Sequence, residues 1–150
     1  MKRLMIMGMV LLVCLSGCIG ENYDFTPPGI TLSGSAPVEW DELAEAKVDW
    51  LGPENKQIDK EVGDFLAFAE EQPEMYFQAG ETVDLLMEHG DFALQSLSVT
   101  LWHDGEGTET EIEDTTFTLP KAEGDYLIEV NLRTDRGSAQ YAGKLVLSKP

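Results

Sequence analysis

Hydrophobic and polar residues alternate along several stretches of the chain, with the period of two that is typical of β-strands with one buried face. The clearest stretches are residues 126–133 and 138–148, which flank a predicted turn at residues 134–137. Residues 44–50 alternate in the same way, and Trp50 shares the parity of the apolar positions, which predicts a buried side chain. Further strands are expected at residues 75–78, 82–87, 97–101 and 110–119. The pattern predicts a mainly β chain of about seven strands.

One stretch has the helical period instead. Ile58, Val62, Phe65, Leu66 and Ala69 follow the spacing i, i+4, i+7, i+8 and i+11, which would place them on one face of a helix. Acidic residues toward its start suit the positive end of the helix dipole, although a glycine inside it costs about 1 kcal/mol relative to alanine. We therefore expect one short helix between two groups of strands.

The segment before the last predicted hairpin, residues 120–126, reads Pro-Lys-Ala-Glu-Gly-Asp-Tyr. It resembles the Gly-x-Tyr corner that enters the penultimate strand of immunoglobulin-like and fibronectin-like modules. The resemblance covers residues 119–148 and implies that the Tyr126 hydroxyl bonds back to nearby backbone. Together with the strand count and the single helix, it predicts an immunoglobulin-like β-sandwich over residues 30–150.

The N-terminus has the order of regions of a secretory signal peptide, since two basic residues precede an apolar run at residues 4–15. A helix of about 12 residues, at roughly 1.5 Å per residue, is shorter than a bilayer core of about 30 Å. The run ends in Leu15-Ser16-Gly17-Cys18, which resembles the lipobox of bacterial lipoproteins. The resemblance implies processing and lipidation, not a permanent membrane span.

The lipobox implies a mature chain that begins with a lipidated Cys18 after residues 1–17 have been cleaved off. Each buried lipid CH₂ contributes about 0.8 kcal/mol of membrane affinity, so the lipid would anchor the protein to the outer face of the cell membrane. Residues 18–29 contain a proline pair and no periodicity, which predicts a flexible tether. The whole chain is also similar to small lipoproteins of Bacillus and related bacteria. That similarity implies a Gram-positive host and no particular activity.

The balance of charge narrows the range of partners. The 150-residue chain has a formal charge of −18, and the loss of Lys2 and Arg3 with the signal peptide makes it −20. Such a charge repels nucleic acid, and also anionic lipid headgroups and wall polymers. Cys14 would leave with the signal peptide and Cys18 would carry lipid, so no disulfide framework is expected. Nucleic acid is therefore not predicted as a partner.

Two histidines are the candidate metal ligands. His89 and His103 lie beside predicted turns among acidic residues that include Asp104 and Glu106. Catalytic zinc needs three protein ligands, and no His-x-x-x-His or Glu-x-x-His spacing pre-arranges them. The acidic run from Asp104 lacks the glycine at position six and the glutamate at position twelve of an EF-hand. Exposed turn residues are favoured and no cofactor is predicted; a metal-binding protein or metal-dependent extracytoplasmic enzyme is the alternative.

Trp102 is the candidate contact residue. Its parity is opposite to that of Leu97, Val99 and Leu101, which predicts that its side chain points away from the core. The sequence has no Gly-x-Ser-x-Gly elbow and, after processing, no free thiol, which disfavours serine and cysteine hydrolase chemistry. These patterns favour a non-enzymatic binding or accessory module that contacts another protein of the cell envelope.

Overall fold

Two β-sheets packed face to face form the body of the domain. A computed structural model describes residues 26–35 and 41–150. The elements, in chain order, are β1 (Ile30–Ser33), β2 (Asp41–Glu42), β3 (Ala44–Leu51), β4 (Gln57–Glu61), α1 (Phe65–Glu70), β5 (Glu74–Gln78), β6 (Thr82–Met87), β7 (Leu94–His103), β8 (Glu106–Thr110), β9 (Thr116–Thr118), β10 (Gly124–Thr134) and β11 (Gly137–Ser148). A short 3-10 turn, Pro53–Asn55, separates β3 from β4.

The smaller sheet has the strand order β2-β1-β6-β9, and the larger has the order β4-β3-β11-β10-β7-β8. All of these neighbours are antiparallel. β5 adds a parallel pairing to the second half of β11, beyond the part that pairs with β3. The structure confirms the predicted mainly β sandwich with one short helix. It has eleven strands among the described residues, because short edge strands such as β2 and β9 are too brief to show an alternating pattern.

The core lies between the sheets and uses the alternating positions that the sequence indicates. The two longest strands contribute these side chains to the core: Tyr126, Ile128, Val130, Leu132, Ala139, Tyr141, Leu145 and Leu147. Trp50 is 2 % exposed, which confirms its predicted burial. The strand order places β10 and β11 at the centre of the larger sheet, and their alternate positions enter this core.

The tyrosine corner is present at the start of β10. The Tyr126 hydroxyl donates a hydrogen bond to the backbone oxygen of Ala122 at 3.0 Å. Both ends of this bond lie within the segment that predicted it, and Tyr126 itself is buried. The prediction that this hydroxyl bonds back to nearby backbone is therefore confirmed.

The helix begins later than the apolar spacing predicts. Ile58 lies in β4, which pairs with β3, and Val62 lies in the connection that follows. The Asp64 side chain accepts a hydrogen bond from the Ala67 N–H at 3.2 Å, so it caps the helix and sets its first turn. The prediction was wrong for Ile58 and Val62 because pairing with β3 satisfies the backbone of 57–61 better than a helix containing Gly63 would.

Residues 110–119, which were expected to form one strand, change sheet instead. β8 ends at Thr110 and remains with the larger sheet, whereas β9 pairs with β6 of the smaller sheet. Between them, Glu113 and Thr116 exchange two backbone hydrogen bonds of 2.9 Å around a tight turn, in which Asp114 has a φ of 58°. The crossing leaves β8 and β9 as edge strands on one side of the sandwich.

Packing begins upstream of Ile30, where the sequence pattern placed the start of the domain. Pro27 and Pro28 are buried, and the Tyr141 hydroxyl donates to the backbone oxygen of Pro28 at 2.7 Å. Prolines carry no periodic signal, so their burial is not visible in the sequence. Cys18 and residues 19–25 of the expected tether lie outside the described residues. Within the described part of the chain, no helix is long and apolar enough to cross a membrane.

Candidate binding groove

Helix α1 lies on the outer face of the larger sheet, on the side away from the main core. A second apolar cluster holds it there, with Ala69 of the helix against Ala46, Leu127 and Ala142 of three strands. Partly buried apolar side chains surround this contact: Val62, Phe65, Leu66, Phe68 and Trp102. The small alanines let the helix approach the sheet closely. The helix is only six residues long and covers part of the outer face. Trp102 lies on the same face, beside the helix.

Trp102 is on the outer face of β7, as its parity predicts, and it is half-buried. Its cross-strand neighbours are Leu127 and Gly107. A Cβ on Gly107 would lie 3.0 Å from three atoms of the indole, so the ring rests against the glycine backbone. A larger residue at position 107 would displace the ring. The structure thus gives Trp102 a fixed position.

A carboxylate on the same face holds the indole nitrogen. Trp102 Nε1–H donates to one oxygen of Glu129 at 2.9 Å. The other oxygen of Glu129 accepts from Asn131 Nδ2 at 2.9 Å and from Gln140 Nε2 at 2.8 Å. All three donors are neutral, and the contacts are partly buried. This network fixes the orientation of Trp102, because hydrogen bonds to an ionised acceptor are stronger than neutral ones.

A groove of about 410 Å³ opens between α1 and the turn that joins β7 to β8. Its apolar surface comes from Leu66 and Ala67 of the helix and from Trp102 and Leu127 of the sheet. The groove combines an indole, two leucines and an open mouth. Such a surface offers contact area for an apolar group of a ligand.

Charged side chains form the rim of the groove. They are Glu70, Asp104, Asp125 and Lys144. The Lys144 Nζ lies 3.2 Å from Glu70 Oε2 and 3.7 Å from Glu74 Oε1. Its hydrogen bond to Glu70 is the main cause that raises the pKa of Lys144, and the burial of its side chain opposes that rise. The one ammonium of the rim is therefore already held between two carboxylates.

His103 and Asp104 lie beside the groove, at the end of β7. The His103 ring stacks on Tyr126 with centroids 4.6 Å apart, and its Nδ1 lies 2.9 Å from the backbone oxygen of Asp125. Its Nε2 is 3.3 Å from Asp104 Oδ2. Glu106 is the cross-strand partner of His103 on β8. These contacts give His103 a packing role at the tyrosine corner.

His89 is not brought near His103. Its Nε2 lies 3.0 Å from the backbone oxygen of Thr26, and its ring meets Phe92 edge-on with centroids 6.0 Å apart. Within residues 26–35 and 41–150, no three histidine, cysteine or acidic side chains form a group that could hold a metal ion. The four candidate metal ligands therefore do not converge on one site.

The groove includes residues that the sequence pattern did not indicate, chiefly Leu66, Asp125 and Lys144. Leu66 is visible as an apolar helical position, but nothing in the sequence shows that its helix packs on the outer face beside Trp102. Lys144 occupies a polar position of β11 with no distinguishing neighbour. No protein-family model matches the chain, and no curated protein matches it.

Proposed function

We propose that the protein is a lipid-anchored binding module on the outer face of the cell membrane, which engages another envelope protein through the groove beside Trp102. The anchor rests on the lipobox at Cys18. The observation that carries the binding role is the position of the groove. The groove lies at the end of the sandwich opposite to the point at which the N-terminal segment, the part of the chain before Ile30, joins the domain.

The end that receives the N-terminal segment is identified by a chain of contacts. Thr26 meets His89, whose ring contacts Phe92. Phe92 contacts Trp50 with centroids 6.0 Å apart, and Trp50 pairs with Gly137 at the turn between β10 and β11. This path places Thr26 toward the end of β10, and Pro28, two residues later, already contacts Tyr141, which pairs with Val130 in the middle of that strand.

The groove is at the other end of the same strand. Asp125 follows the first residue of β10, and Asp104 follows the last residue of β7. From Asp125 to Thr134 the strand advances about 30 Å, at roughly 3.3 Å per residue. A protein anchored through the N-terminal segment would present this groove away from the membrane, where a neighbouring protein can reach it.

Charge and chain length fit the same arrangement. The chain takes eight residue steps from Cys18 to Thr26, a reach of at most about 28 Å. The net negative charge disfavours contact between the domain and anionic headgroups. Both features favour a domain held near, but not flat upon, its own membrane.

Site-specific photo-crosslinking in intact cells tests the proposal. A benzophenone amino acid replaces Ala67, an exposed residue of the groove, and in a matched variant it replaces Ala93, an exposed alanine at the opposite end. We expect a discrete crosslinked protein from position 67 only, and its loss when Cys18→Ser releases the protein from the membrane. Equal products from both positions, or no product from position 67, would contradict the proposal.

A further inference from the structure

We infer that the groove selects a cationic peptide segment of its partner, in which an apolar side chain is flanked by lysine or arginine. This inference rests on the proposed binding function and adds the chemistry of the partner. It follows from three features of the groove: the indole surface, the apolar side chains beside it, and the charges on the rim.

The apolar part of the groove suits one aliphatic side chain. Gly107 covers one side of the Trp102 ring, and Trp102 also lines the groove together with Leu66 and Leu127. The hydrogen bond to Glu129 holds the ring in place. A partner side chain that enters here therefore meets a surface formed before binding, which lowers the entropic cost of association.

The rim supplies a net negative charge. Glu70, Asp104 and Asp125 face the groove against Lys144 alone, and Glu74 adds a second carboxylate to that ammonium. Because Lys144 is 19 % exposed and held by two acids, it is poorly placed to bind an anionic ligand. No cation of the described residues lies within 4 Å of the Asp125 carboxylate. A cationic ligand meets attraction from the rim, and its charge also suits the face of the indole.

The open shape of the groove favours a segment of a protein over a small free amine. A volume of about 410 Å³ accommodates more than one side chain, and the groove is open to solvent between the helix and the β7–β8 turn. Basic residues on either side of an apolar one would reach Glu70 on the helix side and Asp104 and Asp125 on the sheet side. One extended segment can then make the apolar contact inside the groove and the charged contacts on its rim.

The probe is a capped pentapeptide, Gly-Lys-Leu-Lys-Gly, with Gly-Glu-Leu-Glu-Gly and Gly-Lys-Gly-Lys-Gly as its matched controls. The mature protein is produced with ¹⁵N label and studied by NMR in detergent. The indole N–H signal of Trp102 is identified by its loss in Trp102→Phe. We expect the Lys-Leu-Lys peptide to shift this signal saturably. The Lys-Gly-Lys peptide should bind at least fivefold more weakly, because burial of a leucine favours binding, and the Glu-Leu-Glu peptide should leave the signal unchanged.

Two double variants separate a local charge effect from a general one. Asp104→Asn with Asp125→Asn removes two charges at the rim and should weaken the Lys-Leu-Lys peptide at least twofold. Glu54→Gln with Asp59→Asn changes the net charge equally, at exposed positions in and beside β4, and should leave the affinity unchanged.

The inference is overturned by equal weakening in both double variants, by no shift with the Lys-Leu-Lys peptide at millimolar concentration, or by equal binding of the Glu-Leu-Glu peptide. These outcomes leave the crosslinking test intact, since a partner captured from position 67 would then bind through a segment of different chemistry. A partner missing from that test, with the peptide still bound, would instead contradict the proposed function.

Discussion

Replacing Tyr141 by phenylalanine should change how the stability of the protein depends on pH. Tyr141 lies in the middle of β11 with no exposed surface, and its hydroxyl donates to the Pro28 oxygen at 2.7 Å. Burial, followed by the nearby charge of Glu45, raises the pKa of Tyr141 well above its ordinary value of about 10. The hydroxyl therefore remains protonated in the folded protein under conditions in which it ionises in the unfolded chain.

The sign of the effect follows from proton binding. Above pH 10 the unfolded chain has lost the Tyr141 proton and the folded protein retains it, so the free energy of unfolding falls as the pH rises. The stabilisation is complete below pH 10 and is lost between pH 10 and the folded-state pKa. At pH 11 the loss is about 1.4 kcal/mol relative to pH 8, as long as the folded-state pKa lies well above 11.

Urea unfolding of the wild type and of Tyr141→Phe, at pH 8 and at pH 11, measures this loss. At pH 8 the variant should be about 1–3 kcal/mol less stable, because the buried oxygen of Pro28 loses its donor. At pH 11 the difference between the two proteins should shrink by about 1.4 kcal/mol, since phenylalanine does not titrate. All other titrating groups are shared and cancel in this difference.

Tyr76→Phe is the control, because the Tyr76 side chain is 65 % exposed. Its hydroxyl donates to Glu74, and this hydrogen bond is the main cause that raises its pKa. Solvent screens that contact, so the pH-dependent change should be much smaller than for Tyr141. A difference between wild type and Tyr141→Phe that stays constant from pH 8 to pH 11 would refute the reasoning, since it would mean that Tyr141 ionises equally in both states.

Two further substitutions test the larger sheet. Glu129→Gln should move the indole N–H signal of Trp102 and cost about 1–2 kcal/mol, because an amide cannot accept all three hydrogen bonds; an unchanged signal would contradict the role of this network. Gly137→Ala should lower the free energy of unfolding by more than about 2 kcal/mol. Gly137 has a φ of 141°, and a Cβ there would lie 2.0 Å from the backbone oxygen of Asp49. Gly90→Ala is the control and should leave the free energy of unfolding nearly unchanged, because a Cβ at Gly90 would meet no atom within 4 Å beyond its chain neighbours.

The part of the fold that follows from local pattern was predictable. The hairpin of β10 and β11 alternates over more than ten residues, so its pairing and buried parity agree with the sequence. The tyrosine corner also follows from local sequence, since Tyr126 and its acceptor Ala122 are four residues apart. The helix start was predicted wrongly because Ile58 pairs with Trp50 of β3, which lies outside the window that shows the helical spacing.

The candidate site divides in the same way. The parity of Trp102 predicted that its side chain leaves the core, and its place on the outer face agrees. Its surroundings were not predictable, because Gly107 contacts it through the β7–β8 pairing, Glu129 through the β7–β10 pairing, and Lys144 joins the same groove through the β10–β11 pairing. Nearness to acidic residues in sequence made His89 and His103 candidate metal ligands, but His89 contacts Thr26 and His103 contacts Asp125, and the described residues bring no three such ligands together.

By itself the sequence determined the strand-rich class, the buried parity of the long strands and the tyrosine corner, since each depends on residues close together along the chain. The lipobox at Cys18 is also a local sequence pattern, and the lipidation that it implies stays a prediction. Only the tertiary structure decided that α1 packs beside Trp102, that Lys144 is held by Glu70 and Glu74, and that these residues line one groove. Those facts depend on register between strands distant in sequence, which local pattern does not encode.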